Sequence, residues 1–272
     1  MSTVVITGSA RGFGYELAKV FHKSNWNVVL SDINEEGLRK AEEALKKEKG
    51  QGQVISVPCN VTLVDQLENL FLQAKNNFGQ VDIWINNAGV NQPDKPVYEL
   101  TKKEIDFLMD IDLKGMIYGS SIAFKYMKDQ EKGGQIYNIE GYGSNDAMMT
   151  GLSIYGTSKR ATTYFTRALA KEAEDLTKGK VKVCRLTPGI MITDFIKTAN
   201  GGATHIELPE KTKKVYNILG DYPSTIAEYA VPRMIKNTKN DARIMWLTNR
   251  RAFARFLFAG FHKRDFFKED NK

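Results

Sequence analysis

Short segments rich in Val and Ile alternate with longer amphipathic segments along almost the whole chain. Continuous apolar segments are typical of strands covered on both faces, and the segments between them have helical spacing. Strand–helix alternation of this kind gives parallel pairing through right-handed crossovers. The sequence therefore predicts an α/β fold, a doubly wound parallel sheet of seven strands in a single three-layer domain.

The element boundaries follow from the same pattern. The predicted strands are 4–7, 27–31, 53–58, 82–86, 135–139, 180–186 and 243–247, and the predicted helices are 13–24, 34–49, 63–78, 101–129 and 155–177. The alternation stops over 194–240, where Pro-containing turns and a Gly-Gly pair indicate an insertion that covers the active site. The 272 residues contain no linker or repeat, so one domain is expected over the whole chain.

Composition and charge exclude several classes of protein. The net charge is +7, and part of the excess lies in 211–214 and 249–264. This charge indicates a solvated surface, or else a patch for anionic ligands, an acidic partner or a membrane surface. No recognition motif for nucleic acid accompanies it. The beginning has no signal-peptide pattern, and the two cysteines lie in predicted strands, which favours buried thiols and the cytoplasm.

A Gly-rich turn, TGSARGFG at 7–14, follows the first predicted strand and opens the first helix. Its glycines allow the backbone to approach a pyrophosphate whose charge is stabilised at the helix N-terminus. The position of the turn predicts a dinucleotide site on a Rossmann-type fold. The predicted contacts are Gly8, Arg11, Gly12, Phe13 and Gly14.

Two residues of opposite charge bear on the choice of dinucleotide. Asp32 ends the second predicted strand, where a carboxylate accepts hydrogen bonds from the ribose hydroxyls and repels a 2′-phosphate. Arg11 favours the opposite choice, because a guanidinium pairs with a 2′-phosphate. Asp32 is the more direct discriminator, so NAD(H) is favoured and NADP(H) stays open.

Tyr155 and Lys159 lie four residues apart at the start of a predicted helix, and so share one face. A phenol titrates near pH 10 unperturbed, and a neighbouring ammonium favours the phenolate. Such a pair donates a proton to a carbonyl oxygen as hydride arrives, or removes one in the reverse direction.

The four motifs TGSARGFG, NNAG (86–89), YGTSK (155–159) and TPG (187–189), in this order, resemble the short-chain dehydrogenase/reductase family. The resemblance implies that Asn87, Ala88 and Gly89 border the cofactor. It also implies cofactor contacts for Asn60, Val61, Pro188, Gly189, Ile190 and Thr193, and that Lys159 holds the nicotinamide ribose.

The chain departs from that family at two positions. The family usually has Ser about thirteen residues before the Tyr, to bind the substrate carbonyl, whereas this chain has Tyr142 there and Ser144 as the nearest alternative. The family's Asn in N-x-x-G, which anchors a water beside the Lys, is Asp112 here. The expected catalytic set is therefore Tyr155, Lys159, Ser144 and Asp112.

A closer similarity links the segments NIEGYGSN (138–145) and LTPGIMITDF (186–195) to chlorophyll(ide) b reductases. It implies reduction of the C7 formyl group of a chlorophyll b-type pigment, or of another bulky apolar aldehyde or ketone. That subgroup usually prefers NADPH, in conflict with Asp32.

Other functions stay open at this point. An alcohol dehydrogenase for steroid, sugar or acyl substrates is one alternative, and a non-catalytic dinucleotide sensor is another. His22, His205 and His262 do not cluster, so no metal site is expected. The family resemblance implies a homodimer or homotetramer through the helices 101–129 and 155–177. The basic aromatic tail 249–272 is interpreted as a packed helix, a lid or a peripheral membrane contact.

Overall fold

The seven predicted strands form one parallel sheet in the computed structural model, which describes residues 1–93, 95–192, 210–260 and 264–267. They are β1 Thr3–Thr7, β2 Asn27–Ser31, β3 Val54–Ser56, β4 Ile83–Asn86, β5 Gly134–Ile139, β6 Val181–Thr187 and β7 Arg243–Met245. Their order across the sheet is β3-β2-β1-β4-β5-β6-β7. The predicted fold class is confirmed.

The described helices lie on both faces of this sheet. They are α1 Gly12–Lys23, α2 Glu35–Leu45, α3 Val64–Phe78, α4 Lys102–Met109, α5 Met116–Met127, α6 Ser153–Thr177, α7 Glu210–Leu219, α8 Pro223–Ile235 and α9 Asn249–Leu257. A short 3₁₀ helix, Val97–Glu99, precedes α4.

Every residue of β1 is buried, and its alternate side chains reach two separate apolar cores. Val4 and Ile6 pack in a core with α1, α2 and α8 on one face. Val5 packs in a second core with α3, α5 and α6 on the other face. Because successive side chains of a strand point to opposite faces, two helix layers are needed to cover this sheet. The result is the three-layer arrangement that the sequence predicts.

The predicted helix 101–129 is interrupted by one π-helical turn, Asp110–Gly115, between α4 and α5. Each turn of π-helix takes an extra residue, so the faces of the helix are rotated beyond that point. Asp112 lies in this turn with its side chain fully buried. The segment is helical from 102 to 127, as predicted, but apolar periodicity does not reveal the π-helical turn within it.

Within 194–240 the structure describes 210–240. Helix α7 has no buried residue, whereas α8 buries five side chains, such as Ile226 and Val231, in the core beside α1. Helix α8 is therefore part of a core layer and does not cover the active site. That the rest of the insertion covers the active site stays a prediction. Thr193, His205 and His262 lie outside the described residues.

Cys59 and Cys184 are buried free thiols, as the sequence predicts. In the part of the chain that the structure describes, no helix has the length and apolarity needed to cross a lipid bilayer.

Candidate active site

The Gly-rich turn after β1 and the NNAG segment after β4 meet where the strand order reverses, which is where doubly wound sheets bind ligands. Asn87 donates from Nδ2 to the carbonyl oxygens of Thr7 and Gly8, at 3.0 and 2.8 Å. Gly8 has φ +62°, and a Cβ on it would lie 2.7 Å from the Cα of Ala88. Only glycine satisfies both conditions, so the two motifs form one surface.

The start of α1 fits the pyrophosphate of a dinucleotide. Helix α1 begins at Gly12, and Phe13 and Gly14 lie in its first turn. The preceding Arg11 makes no side-chain cap hydrogen bond, and the first turn holds no acidic residue. The backbone N–H groups of this turn therefore remain available to an anion. A Cβ on Gly14 would overlap the Gly8 carbonyl oxygen, so only glycine lets the start of α1 pack this closely against the turn.

Asp32 and Arg11 border the same open cavity of about 470 Å³, together with Ala10, Tyr15, Asn34 and Lys40. The Asp32 carboxylate accepts the N–H of Ala10 at 3.1 Å and that of Asn34 at 3.0 Å. These bonds fix the carboxylate at the end of β2, where the ribose discriminator is predicted. Arg11 is exposed at the edge of the cavity. Both discriminators therefore lie at the adenosine end of the site.

The remaining predicted cofactor contacts lie along the same edge of the sheet. Asn60 uses Oδ1 to accept the backbone N–H and the hydroxyl of Thr62, at 3.0 and 2.8 Å. Val61 is buried against Gly115 at the π-helical turn. Pro188 is buried, and Gly189 after it packs against Leu247.

Ile190 continues this segment, and its carbonyl oxygen accepts the N–H of Asp221 at 3.1 Å.

Lys159 is held by a buried ion pair with Asp112. Its Nζ lies 2.9 Å from Asp112 Oδ2, and the two side chains are 10% and 0% exposed. Oδ2 has no aligned hydrogen bond, so this contact is electrostatic. Asp112 Oδ1 accepts the N–H of Val90 at 2.7 Å. Asp112 therefore pairs directly with Lys159, and the water expected beside the lysine stays a prediction.

Tyr155 is half-buried, and Lys159 Nζ lies 5.3 Å from the centre of its ring. Burial raises the pKa of the phenol above its ordinary value; Lys159 lowers this pKa, whereas Asp112 raises it. The net direction is upward, opposite to the expectation from the lysine alone. Burial lowers the pKa of Lys159, but the Asp112 carboxylate and the Tyr155 phenol outweigh that effect and raise it. Lys159 therefore stays cationic at neutral pH.

The Gly-rich turn before α6 makes room for the tyrosine. A Cβ on Gly141 would overlap the hydroxyl oxygen of Tyr155. Ser144 is buried, accepts the N–H of Gly141 at 3.1 Å and donates to the Lys159 carbonyl at 3.2 Å. Both hydrogen-bonding roles of this hydroxyl are met inside the protein. In this structure the Ser144 hydroxyl supports the turn that carries Tyr155 and Lys159, and its contact with the substrate stays a prediction.

Tyr142, at the usual serine spacing, donates from its hydroxyl to the Met148 carbonyl at 3.0 Å. The structure thus brings Tyr155, Lys159 and Asp112 together, but neither hydroxylic alternative is free to bind a carbonyl.

The buried carboxylate of Glu140 was not among the site residues predicted from the sequence. It accepts hydrogen bonds from Thr163, from Thr187 at 2.5 Å and from Arg243 at 2.7 Å. It therefore joins the ends of β5 and β6 to the first residue of β7, and it fixes Thr187 before Pro188. The available signal was a charged residue directly after the apolar strand β5.

Comparison with known proteins agrees with this geometry. The family model described as short chain dehydrogenase matches residues 2–203. The chain is 32% identical to the chlorophyll(ide) b reductase NOL of Oryza sativa subsp. japonica, over 93% of this chain and 74% of that protein. It is 34% identical to a diacetyl reductase of Staphylococcus epidermidis, over 71% of this chain and 72% of that one. It spans 54% of the probable chlorophyll(ide) b reductase NYC1 of Oryza sativa, at 29% identity.

Solved structures share the fold. A 3-ketoacyl-(acyl-carrier-protein) reductase from Brucella melitensis, complexed with NADH, superimposes with a TM-score of 0.78 at 21% identity, covering 92% of this chain and 98% of the other. An alcohol dehydrogenase from Thermococcus sibiricus, complexed with 5-hydroxy-NADP, gives 0.73 at 22% identity, covering 90% and 96%. The chain therefore belongs to the short chain dehydrogenase family and is an oxidoreductase that uses a nicotinamide dinucleotide.

Proposed function

We propose that this protein is a carbonyl reductase that reduces the C7 formyl group of chlorophyll(ide) b or a similar bulky apolar aldehyde or ketone. The observation that carries the proposal is the buried centre of Tyr155, Lys159 and Asp112 beside the dinucleotide cradle. Burial and Asp112 raise the pKa of the phenol, so it carries its proton at neutral pH. A protonated phenol is the form that donates to a carbonyl oxygen, which favours reduction over alcohol oxidation.

In this proposal each residue has one task. Tyr155 gives its proton to the substrate oxygen, and the nearby Lys159 ammonium stabilises the phenolate that remains. Asp112 keeps Lys159 charged and in place. The bound dinucleotide supplies the hydride. The Gly-rich turn and Asn87 hold its pyrophosphate end against α1.

A bulky apolar substrate is supported by the surface before α6. Met148 is 90% exposed and Met149 57% exposed, in the loop that leads to Tyr155. Exposed large apolar side chains beside a catalytic centre indicate a site for an apolar ligand, and methionine adapts to flat and irregular shapes. The relatives named chlorophyll(ide) b reductases support the pigment in particular.

For the cofactor we propose NADH, because Asp32 is fixed at the end of β2 by two backbone N–H groups. Arg11 stays at the rim of the same cavity and favours NADPH. The variant Asp32→Ala removes the carboxylate and leaves Arg11 at the cavity, and a shift of preference from NADH toward NADPH would support this assignment.

The test of function is an absorbance assay with chlorophyll b and chlorophyllide b, run in parallel with NADH and NADPH. A shift of the pigment's Soret band with oxidation of one equivalent of cofactor is expected. Turnover of diacetyl but of neither pigment would instead favour a second candidate, a reductase of small ketones, which the diacetyl reductase relative supports. Tight cofactor binding without turnover on either substrate class would favour a non-catalytic sensor.

We propose peripheral membrane contact through α9. This helix directs Arg251 and Arg255 inward, onto Trp246 and Asp221, and leaves Phe253 71% and Phe256 52% exposed. A surface helix normally buries its apolar side chains and exposes its charged ones. Exposed aromatic side chains next to the exposed Arg250 fit the interface of an anionic bilayer.

Co-sedimentation with phosphatidylglycerol vesicles tests this contact, with phosphatidylcholine vesicles as the control. Binding of the wild type to the anionic vesicles, and its loss in Phe253→Ser/Phe256→Ser, is expected. Equal sedimentation of variant and wild type would contradict the contact.

Self-association and compartment complete the proposal. We propose a homodimer or homotetramer through α5 and α6, supported by the 78% exposed Tyr164 on α6, and light scattering of the purified chain measures it. We propose a cytoplasmic location, supported by the two free thiols.

A further inference from the structure

Gln92 lies just after the NNAG segment and caps the helix that carries the catalytic tyrosine. Its side chain is buried, with the residue 1% exposed. Oε1 accepts the backbone N–H of Ile154 at 2.9 Å and that of Tyr155 at 3.1 Å. These are first-turn donors of α6, which Leu152 at the N-cap position does not satisfy with its side chain. Gln92 therefore fixes the backbone from which Tyr155 projects.

The other end of the same amide is unpaired. Nε2 of Gln92 is buried and has no hydrogen-bond partner among the residues that the structure describes. The two backbone N–H groups need an acceptor, so the oxygen of the Gln92 amide faces them and the nitrogen points away. A buried donor without a partner is unfavourable, because it has lost its hydrogen bonds to water without gaining others. Buried donors of this kind therefore call for a ligand or another function.

Among the described residues, neither hydroxyl near the family's serine position is free to donate to a substrate. Reduction places negative charge on the carbonyl oxygen, and a second donor beside the acid stabilises that charge. Ser144 uses its hydroxyl on the protein backbone, and Tyr142 donates to the Met148 carbonyl. The unpaired amide of Gln92 lies at the first turn of α6, from which the catalytic Tyr155 projects.

We propose that Gln92 donates from Nε2 to the carbonyl oxygen of the substrate, while its Oε1 holds the turn that carries Tyr155. Gln92 transfers no proton in this role; the proton still comes from the phenol. The inference rests on the proposed reductase function and assigns the oxygen-binding residue of that site.

Two variants distinguish the proposed donor role of Gln92 Nε2 from the capping role of Oε1. Gln92→Met removes both, whereas Gln92→Glu keeps an acceptor for the two backbone N–H groups and, as a carboxylate, has no donor. We expect Gln92→Glu to retain a wild-type Tm and to lose about 10²-fold to 10³-fold in kcat above the pKa of its carboxyl group. A wild-type kcat in a folded Gln92→Glu protein at that pH would overturn the proposal.

A binding measurement without turnover distinguishes this inference from the function itself. Naphthaldehyde and methylnaphthalene, which differ by the oxygen, are titrated into the enzyme loaded with oxidised cofactor. The wild type is expected to prefer the aldehyde, and both variants to lose about tenfold of that preference with unchanged cofactor affinity. An equal preference in wild type and variants would overturn the donor role. Failure of pigment turnover with this preference intact would instead reject the proposed substrate.

Discussion

Asp112 stands where the family has asparagine, and its carboxylate acts on two ionisable neighbours. It pairs with Lys159 at 2.9 Å, and it raises the pKa of the Tyr155 phenol. The lysine alone would lower the pKa of the phenol. The carboxylate offsets part of that effect, and it adds to the burial that keeps the tyrosine protonated. This single residue therefore biases the centre toward proton donation.

Asp112→Asn restores the family's residue and removes the negative charge. The pKa of Tyr155 is then expected to fall. Carbonyl reduction needs the protonated phenol, so its rate should decline with rising pH at a lower pH than in wild type. Alcohol oxidation needs the phenolate, so its rate should rise at a lower pH. Rate profiles in both directions measure this shift. Unchanged profiles would show that Asp112 does not set the titration of Tyr155.

Glu140 joins three neighbouring strands of the sheet, β5, β6 and β7. Its fully buried carboxylate contacts Arg243 at 2.7 Å and Thr187 at 2.5 Å, so the ends of β5 and β6 and the first residue of β7 meet at one charged group. Removing one partner of a buried ion pair is strongly destabilising, because the remaining charge stays desolvated. The segment after Thr187, with its predicted cofactor contacts, depends on this anchor.

Glu140→Gln is expected to lower the free energy of unfolding by about 3 kcal/mol, measured by chemical denaturation. The matched control is Glu43→Gln, which breaks the exposed Arg39–Glu43 pair on α2 and should change stability by at most about 0.5 kcal/mol. Equal losses in both variants would contradict the anchoring role of Glu140.

The sequence predicts the elements well where one local pattern decides them. The seven strands and the turn before Gly12 follow from apolar runs and glycine spacing, and the structure has all seven strands in one sheet. The π-helical turn around Asp112 and the inward hydroxyl of Ser144 depend on tertiary contacts. No spacing rule encodes these contacts, so the direct pairing of Asp112 with Lys159 and the backbone contacts of Ser144 could not be predicted from the sequence.

At the scale of the whole molecule, the described C-terminal residues are bonded to the segment that is predicted to lie beside the nicotinamide. Asp221, 7% exposed, pairs with Arg255 at 2.6 Å and with Arg264 at 3.1 Å. Its backbone N–H donates to the Ile190 carbonyl, and its own carbonyl accepts the N–H of Ile192.

Helix α7 belongs to the same arrangement. Tyr216 on α7 stacks on Phe267 with ring centres 6.2 Å apart, and it raises the pKa of the Tyr155 phenol, so it lies near the centre. The C-terminal residues thus hold both α7 and the segment after Gly189.

Arg264→Ala is expected to loosen both segments, because it removes one ion pair to Asp221 and hydrogen bonds to the carbonyls of Gly220 and Ile218. KM for the carbonyl substrate should rise roughly fivefold to tenfold, with a smaller change in kcat. Arg250→Ala on the exposed side of α9 is the control and should leave KM unchanged. Equal KM values in the two variants would contradict the coupling of the C-terminal residues to the site.

The most direct test of the central claim is a comparison of wild type and Tyr155→Phe in the oxidation of reduced cofactor by chlorophyllide b. The phenylalanine keeps the ring and the fold but cannot donate a proton. We expect wild type to consume cofactor and pigment in equal amounts. The variant should bind the cofactor with nearly unchanged affinity and lose turnover by at least about 10²-fold. Comparable turnover by the variant would contradict Tyr155 as the acid of a carbonyl reductase.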